Sequence, residues 1–390
     1  MPIFRQCEDR NGDCPDQRVN SGAIRIFLCG DVMTGRGVDQ ILPYPSKPIL
    51  YETYVDSALD YVAIAEKTNG PIPRSVDFSY IWGDALTELD RVAPAARIIN
   101  LETSVTRNDV PAPKGINYRM NPANTPCLAA AGIDCCVLAN NHVLDWGRAG
   151  LQETLSSLKE AGIGTAGAGL NPAASDQPAV IETARVGRVL VFAFATADSG
   201  VPPEWAATDT ECGINFLSEL SDPTADRLAG QVSAMKRPGD VAVVSAHWGG
   251  NWGYGISRRQ RDFAHRLIDS GAVDVIHGHS SHHRKAIEVY RNKPILYGCG
   301  DFLNDYEGIG GYEEFRSHLV SMYFVTFDPS APGLVALEMT PLEIHRFRLR
   351  RAGKDDIQWL KEVLDREGQP FGSRTILQEA GRLKLEWARS

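Results

Sequence analysis

Five short apolar segments of this 390-residue chain are each followed directly by acidic, amide or imidazole side chains, and that pattern limits the folds open to it. The segments Ile24 to Cys29, Ala95 to Ile99, Cys135 to Ala139, Val241 to Ala246 and Val273 to Ile276 read as buried strands. After them come Asp31, Glu102, Asn141 with His142, His247, and the run from His277 to His283. In an open α/β sheet, residues just past the carboxyl ends of neighbouring strands converge on one crevice, however far apart they lie in sequence. Oxygen and nitrogen donors gathered there suit divalent metals, so the chain reads as a metal-dependent enzyme.

Bulk properties narrow the classes further. At 43% hydrophobic and 23% charged residues the chain has a globular composition, and its net charge of −9 offers no sustained basic face for nucleic acid. No apolar run approaches the roughly 20 residues of a membrane helix. Residues 1–22 form a polar leader without an apolar stretch of signal type, so a cytoplasmic chain is expected unless a processed leader has been lost. Cys29, Cys135 and Cys136 lie inside apparent strands, where a thiol acts as a small hydrophobe. Cys7 and Cys14 could pair or bind metal but lack a second close pair, and a reduced compartment fits best.

The organisation expected is one domain over residues 23–345, with an insertion at 41–79 rich in proline, and a helical extension at 346–390. Helical spacing runs through Tyr54 to Lys67, Tyr80 to Val92, Asn121 to Ala131, Gly147 to Ala161, Pro223 to Arg237 and Arg258 to Ser270. Alternating with the apolar segments, these stretches predict a βαβ sheet. A hairpin is expected at Ala179 to Ala195 around a Val-Gly-Arg turn, and further strands at Ile287 to Tyr290, Pro294 to Gly298, His318 to Phe327 and Leu334 to Glu343. Asp355 to Glu367 and Thr375 to Ala388 read as closing helices. The whole predicts an α/β fold of two packed sheets with helices outside.

The strand-end loops carry the chemistry. In Gly30 to Gly37 the glycines allow a sharp turn, Asp31 offers a carboxylate, and Arg36 a planar fork suited to carboxylate or phosphate. Glu102 follows its strand by two residues and could be a ligand, a helix cap or a solvated side chain. Asn140, Asn141 and His142 would be costly to bury unpaired; an amide-oxygen ligand at Asn141 with His142 as proton donor accounts for them better than a structural network. His247 opens the fourth loop, and His277, His279, His282 and His283 crowd the fifth. Six of the nine histidines lie in these loops, more than scattered packing would place there. Trp248, Trp252 and Tyr254 share a glycine-rich stretch and could line a substrate wall or pack in the core. His265, His318 and His345 read as structural.

Taken in order, GDVMTGR, NLETSVT, ANNHVLDWG, AHWGGNWGYGIS, HGHSSHH and LYGCGDFLND resemble the CapA family of bacterial poly-γ-glutamate capsule-synthesis proteins, within the calcineurin-like metallophosphatase superfamily. The resemblance spans about Ile24 to Asp305 and implies a four-layer α/β/β/α sandwich with a metal centre at the carboxyl ends of the strands. By that similarity Asp31, Glu102, Asn141, His247, His279 and His282 would be metal ligands, and His142 the general acid. The superfamily usually has Asp-x-His in its first motif, whereas here Val32 and Met33 follow Asp31. A thioether is a poor ligand for hard ions, so one firmly held divalent ion (Mn, Zn, Fe or Ca) and a second weak or absent one are expected. Asp301 stands where many relatives carry asparagine, and His283 adds a further imidazole. The membrane anchor usual among such relatives is not expected in this sequence, which puts the capsule role in question.

The leading expectation is a hydrolase acting on an anionic peptide or polymer, through an amide or phosphoester bond. His142 would protonate the leaving group, while Arg36 and loop amides hold the anionic end. The resemblance also extends to enzymes that invert a peptide Cα in lasso-peptide maturation, in which case Asp31 and a histidine such as His279 would act as acid and base across a Cα–H. A third reading is a non-catalytic capsule assembly factor that binds through the insertion.

Overall fold

The computed structural model describes residues 23–184, 187–328 and 333–388. The leader with Cys7 and Cys14, and Val186 of the expected turn, lie outside the described residues. Seven strands position the candidate site: β1 (Ile24–Val32), β2 (Ala96–Leu101), β3 (Cys135–Val137), β4 (Arg188–Thr196), β5 (Val241–His247), β6 (Val275–His279) and β7 (Asp301–Leu303). They fall into two sheets. In the larger, β1, β2 and β3 run parallel, β7 joins the end of β1, and Leu319–Phe327 and Leu334–Ile344 extend the other side antiparallel. In the smaller, β4, β5 and β6 are parallel neighbours.

Side-chain alternation explains how the sheets stack. In β4, Val189, Val191, Ala193 and Ala195 join a core that also holds Ile26 and Ile98 of the larger sheet. Leu190, Phe192 and Phe194 point the other way, into a core with Leu228 and Val232 of helix Asp222–Met235 and Phe263 and Leu267 of helix Arg258–Asp269. Helices Asp84–Val92 and Gly147–Glu160 cover the larger sheet through Leu89 and Leu151. The result is the four-layer α/β/β/α sandwich. The same alternation aims the histidines. His247 continues the face of Val241 and Val243, and His277 and His279 that of Val275, so all three turn toward the larger sheet.

The expected hairpin is present, with Ala179–Glu182 antiparallel to β4. Within the insertion, helix Ala58–Asn69 packs Ala58 and Tyr61 on Leu50 in a small cluster. The closing segment corrects the sequence reading. Lys354–Gly368 is a helix as expected, but Ser373–Leu377 and Leu383–Trp387 form an antiparallel hairpin, not a second helix. Residues 346–390 are therefore not wholly helical. The hairpin joins the larger sheet through Leu383 beside Met339. Ser373 and Thr375, then Leu383 and Leu385, are buried with a period of two, and the turn between the strands takes Ala380 (φ 56°) and Gly381 (φ 73°). Two successive left-handed residues end any helix, and the Ala-Gly pair hides that stop among good helix formers.

Because Leu383 is fully buried in the main core, Leu383→Ala should lower stability by about 3 kcal/mol in urea unfolding. A loss within about 0.5 kcal/mol is what a peripheral appendage would give.

Candidate metal centre

Strand register assembles the site. Asp31 on β1 lies beside Asn100 on β2 and Asp301 on β7, while His247 on β5 lies beside His279 on β6. Close backbone contacts account for the glycines next to two of these residues. A Cβ on Gly30 would meet the Gly300 carbonyl oxygen at 1.8 Å, and one on Gly278 the Tyr297 carbonyl oxygen at 2.4 Å. His277 bridges the sheets. Its Nε2 donates to the Cys29 carbonyl at 2.7 Å, because a carbonyl can only accept. Burial and His279 push the His277 proton affinity well down, so its Nδ1 is bare and faces His279 Nε2 at 3.3 Å.

Asp31 is held from several sides. His279 Nδ1 lies 2.8 Å from its Oδ1, Asn100 Nδ2 donates to the same oxygen at 2.8 Å, and the Ser280 N–H reaches Oδ2 at 3.3 Å. Ser280 adopts φ 84°, and its hydroxyl donates to the Gly249 carbonyl at 2.7 Å, which keeps that strained turn in place. Burial works against the Asp31 charge, but the hydrogen bond and charge of His279 outweigh it and hold the carboxyl well below its usual range.

Glu102 faces the same point without such support. Asp31, Glu102 and His247 each bring a ligand atom within 4.8 Å of the others, and all three are buried. Burial, then the Asp31 carboxylate, push the Glu102 carboxyl well above its usual range. Its Oε2 has no hydrogen-bond partner, and neither does Nδ1 of His247. Asn141 Oδ1 lies 3.1 Å from His247 Nε2, and burial pushes the His247 imidazole down to about 3. Donors spaced this way fit one cation, since two ligands at about 2.1 Å from an ion sit about 3 Å from each other. Two adjacent buried carboxylates, one with an orphaned oxygen, also supply the negative charge that a divalent ion neutralises.

His142 borders the centre, with Nε2 3.8 Å from Glu102 Oε1 and Nδ1 2.6 Å from Asp145 Oδ2. Asp145 accepts further from the Tyr118 N–H at 2.6 Å and pairs with Lys114 at 2.8 Å. The edge of the His142 ring meets Tyr118 at 4.5 Å, and burial, then Lys114, push the imidazole down to about 4 against the pull of Asp145. A carboxylate only accepts, so the neutral ring carries its proton on Nδ1 and leaves Nε2 bare. His282 forms a similar pair with Asp301 at 2.8 Å, and Asn304 donates to the other Asp301 oxygen at 2.8 Å. Burial opposes the His282 charge, but Asp301 outweighs it and raises the proton affinity.

Other expected residues lie elsewhere. Arg36 is buried and committed to protein partners: Asp305 (3.2 Å), Glu52 (3.0 Å) and Tyr61 (2.8 Å), between the rings of Tyr61 and Tyr118. Trp248 packs in the core beside Phe194 and donates to the Tyr297 carbonyl at 3.0 Å, so of its two expected roles it takes core packing. Trp252 and Tyr254 flank His282 and His283, with Trp252 stacked on Tyr312 at 3.8 Å. His283 lies in that aromatic group against Phe315. Met33 is buried and its sulfur takes the Tyr306 hydroxyl at 3.5 Å. Asp31 and His279 are in direct contact, which leaves no space between them for a Cα–H.

Sequence reasoning assigned no role to Asn100, Lys114, Tyr118, Asp145, His277 or Asn304. Asn100 and Asp145 lie inside the ligand-bearing motifs, which is a usable signal; Lys114 lies in a Pro-Lys-Gly stretch with none. His265 stacks on Tyr290 and pairs with Glu288 at 3.0 Å. His318, Glu343 and Asp356 form a second, more exposed group of donors, but Arg350 and Arg316 already pair with its two carboxylates at 2.7 and 2.6 Å. Among the described residues no helix is long and apolar enough to cross a membrane.

The chain is similar to known proteins along most of its length. The probable polyglutamine synthesis accessory protein of Mycobacterium tuberculosis is 46% identical over 368 residues, covering 94% of this chain and 97% of that one. The PGA biosynthesis protein CapA of Bacillus subtilis is 27% identical over 331 residues, 84% of this chain and 74% of that one. A solved structure described as a novel phosphatase, from Mycoplasma pneumoniae, aligns with 82% of this chain and 94% of that one at 10% identity and a TM-score of 0.43. The family described as bacterial capsule synthesis protein PGA_cap matches residues 25–306, well over half of the sequence, and this chain belongs to that family.

Proposed function

We propose that this protein is a metal-dependent hydrolase that cuts an amide or phosphoester bond in an anionic chain of the poly-γ-glutamate type, as an accessory to capsule-polymer synthesis. The observation that carries the reading is the buried meeting of Asp31, Glu102 and His247, with the Glu102 Oε2 left unpartnered. Asn141 completes the ligand set, while His279, whose Nδ1 faces Asp31 and whose Nε2 faces His277, and His282, paired with Asp301, border it rather than ligate as the sequence predicts. The names of the mycobacterial and Bacillus relatives supply the polymer.

A divalent ion held there (Mn, Zn, Fe or Ca) would supply Lewis acidity to the scissile carbonyl or phosphoryl oxygen and lower the pKa of water. The protein's own part centres on His142. Asp145 fixes its Nδ1–H, so the bare Nε2 can take the proton of an attacking water. As the bond to the leaving nitrogen or oxygen breaks, Nε2 returns that proton to it. Trp252 and Tyr254 wall the side next to His282 and His283. Met33, capped by Tyr306, offers a hard cation no good donor, so we assign the centre one firmly held ion.

A second reading, an assembly factor without turnover, is favoured by one observation. Tyr44, Ile49, Tyr51, Tyr54 and Leu59 of the insertion are all about half exposed or more, an apolar surface suited to a partner or polymer. It predicts that metal removal leaves function intact.

Two measurements test the hydrolase. Wild type should carry about one equivalent of metal by mass spectrometry and cleave γ-glutamyl peptides or phosphoesters. Asn141→Ala with His247→Ala should bind it at least about tenfold more weakly and lose cleavage; unchanged metal content removes the ligand assignment. Glu102→Gln should raise the melting temperature of chelator-treated protein by about 2 °C, because it removes a carboxyl whose ionised form burial and Asp31 disfavour in the fold, and abolish the stabilisation wild type gains from added metal. A variant that melts lower in chelator and still gains from metal contradicts the site.

A further inference from the structure

Arg36 cannot hold the substrate's anionic group, since its guanidinium is buried against Asp305, Glu52 and Tyr61. The charges acting on the centre point to another cation. Lys114, whose side chain is about one-fifth exposed, lies beside Asn141 and His142 at the edge of the centre. Its Nζ bonds the Asn141 carbonyl oxygen and pairs with Asp145 at 2.8 Å. An ammonium has three donors, so one remains for a ligand. Trp205 lies under Nζ with its ring centre at 5.1 Å, and Gly200 packs beside the Asn141 side chain. Lys114 thus stands at the Asn141 side of the centre, with an apolar wall behind it.

Its position relative to His142 selects a chemistry. Nζ lies 3.4 Å from His142 Nδ1, on the flank of the ring opposite the Nε2 that faces Glu102. In the hydrolase reading, on which this inference rests, Nε2 serves the leaving group. We propose that Lys114 binds a carboxylate carried by the leaving group, on the carbon next to the scissile nitrogen. A γ-linked glutamyl chain has such a carboxylate beside every amide nitrogen. An α-linked chain does not, because that carboxyl group is spent in the next peptide bond. Lys114 is then a specificity residue that selects γ-linked over α-linked chains, and its charge gives the substrate its direction in the cleft.

The test is binding, which needs no turnover. Metal-loaded full-length protein is titrated calorimetrically with γ-glutamyl-glutamate and with the analogue whose second-residue α-carboxylate is a carboxamide. Wild type should prefer the carboxylate by about tenfold, about 1.4 kcal/mol. K114M should bring the ratio to within about twofold of unity, and K114R should restore most of it. A wild type with no preference overturns the proposal, and so does K114M that keeps it. If K114M melts well below wild type, K114Q is read in the same way. A Lys114-dependent preference without any cleavage removes the hydrolase reading and leaves the anchor standing; cleavage without a preference removes the anchor alone.

Discussion

Two carboxyl groups buried side by side, Asp31 held charged by His279 and Glu102 with an unpartnered oxygen, are the constraint around which this molecule is organised. Asp31 can stay charged because His279 and Asn100 bond it, and His279 is in turn held by His277, whose other nitrogen reaches the backbone of the opposite sheet. Glu102 has no comparable support, and its free oxygen points at the same small volume. Low-dielectric surroundings make that pair costly unless a positive ion joins it, so the charge arrangement favours a divalent cation over a neutral ligand.

The rest of the fold serves that junction. Parallel strands end at one edge in each sheet, and their two-residue alternation turns His247, His277 and His279 inward where apolar packing stops. Gly30 and Gly278 are required because backbone crosses backbone there. Arg36, which as a free side chain would suit an anionic substrate, instead ties the first loop to the insertion through Glu52 and to the last motif through Asp305. On the proposed reading, the substrate's charge falls to Lys114 at the rim.

Much of this was legible in the sequence because the strongest signals are local. Apolar runs such as Val241 to Ala246 declare buried strands, and donors at their ends declare a shared crevice whatever the loops between them do. Period also located the Arg258–Asp269 helix and the Ala179–Glu182 hairpin strand to within a residue or two. The misses are of two kinds. In Thr375 to Ala388 a turn at two left-handed residues was masked by residues that favour helices, and the alternation of Leu383 and Leu385 was too short to override it. Arg36 and Trp248 have the chemistry of ligand-binding residues, but their neighbours Asp305 and Tyr297 come from distant segments, and such pairings are fixed only by tertiary packing. Lys114 is the reverse case: nothing near it in sequence marks it, and its meaning comes from Asp145 and His142 folding against it.

The most direct measurement of the central claim is anomalous X-ray diffraction from crystals of the metal-loaded protein at the absorption edge of the bound metal. The account predicts one strong peak with Asp31, Glu102 and His247 among its ligands, at about 2.0–2.3 Å. A peak confined to the His318, Glu343 and Asp356 group, or none near Asp31, would contradict it.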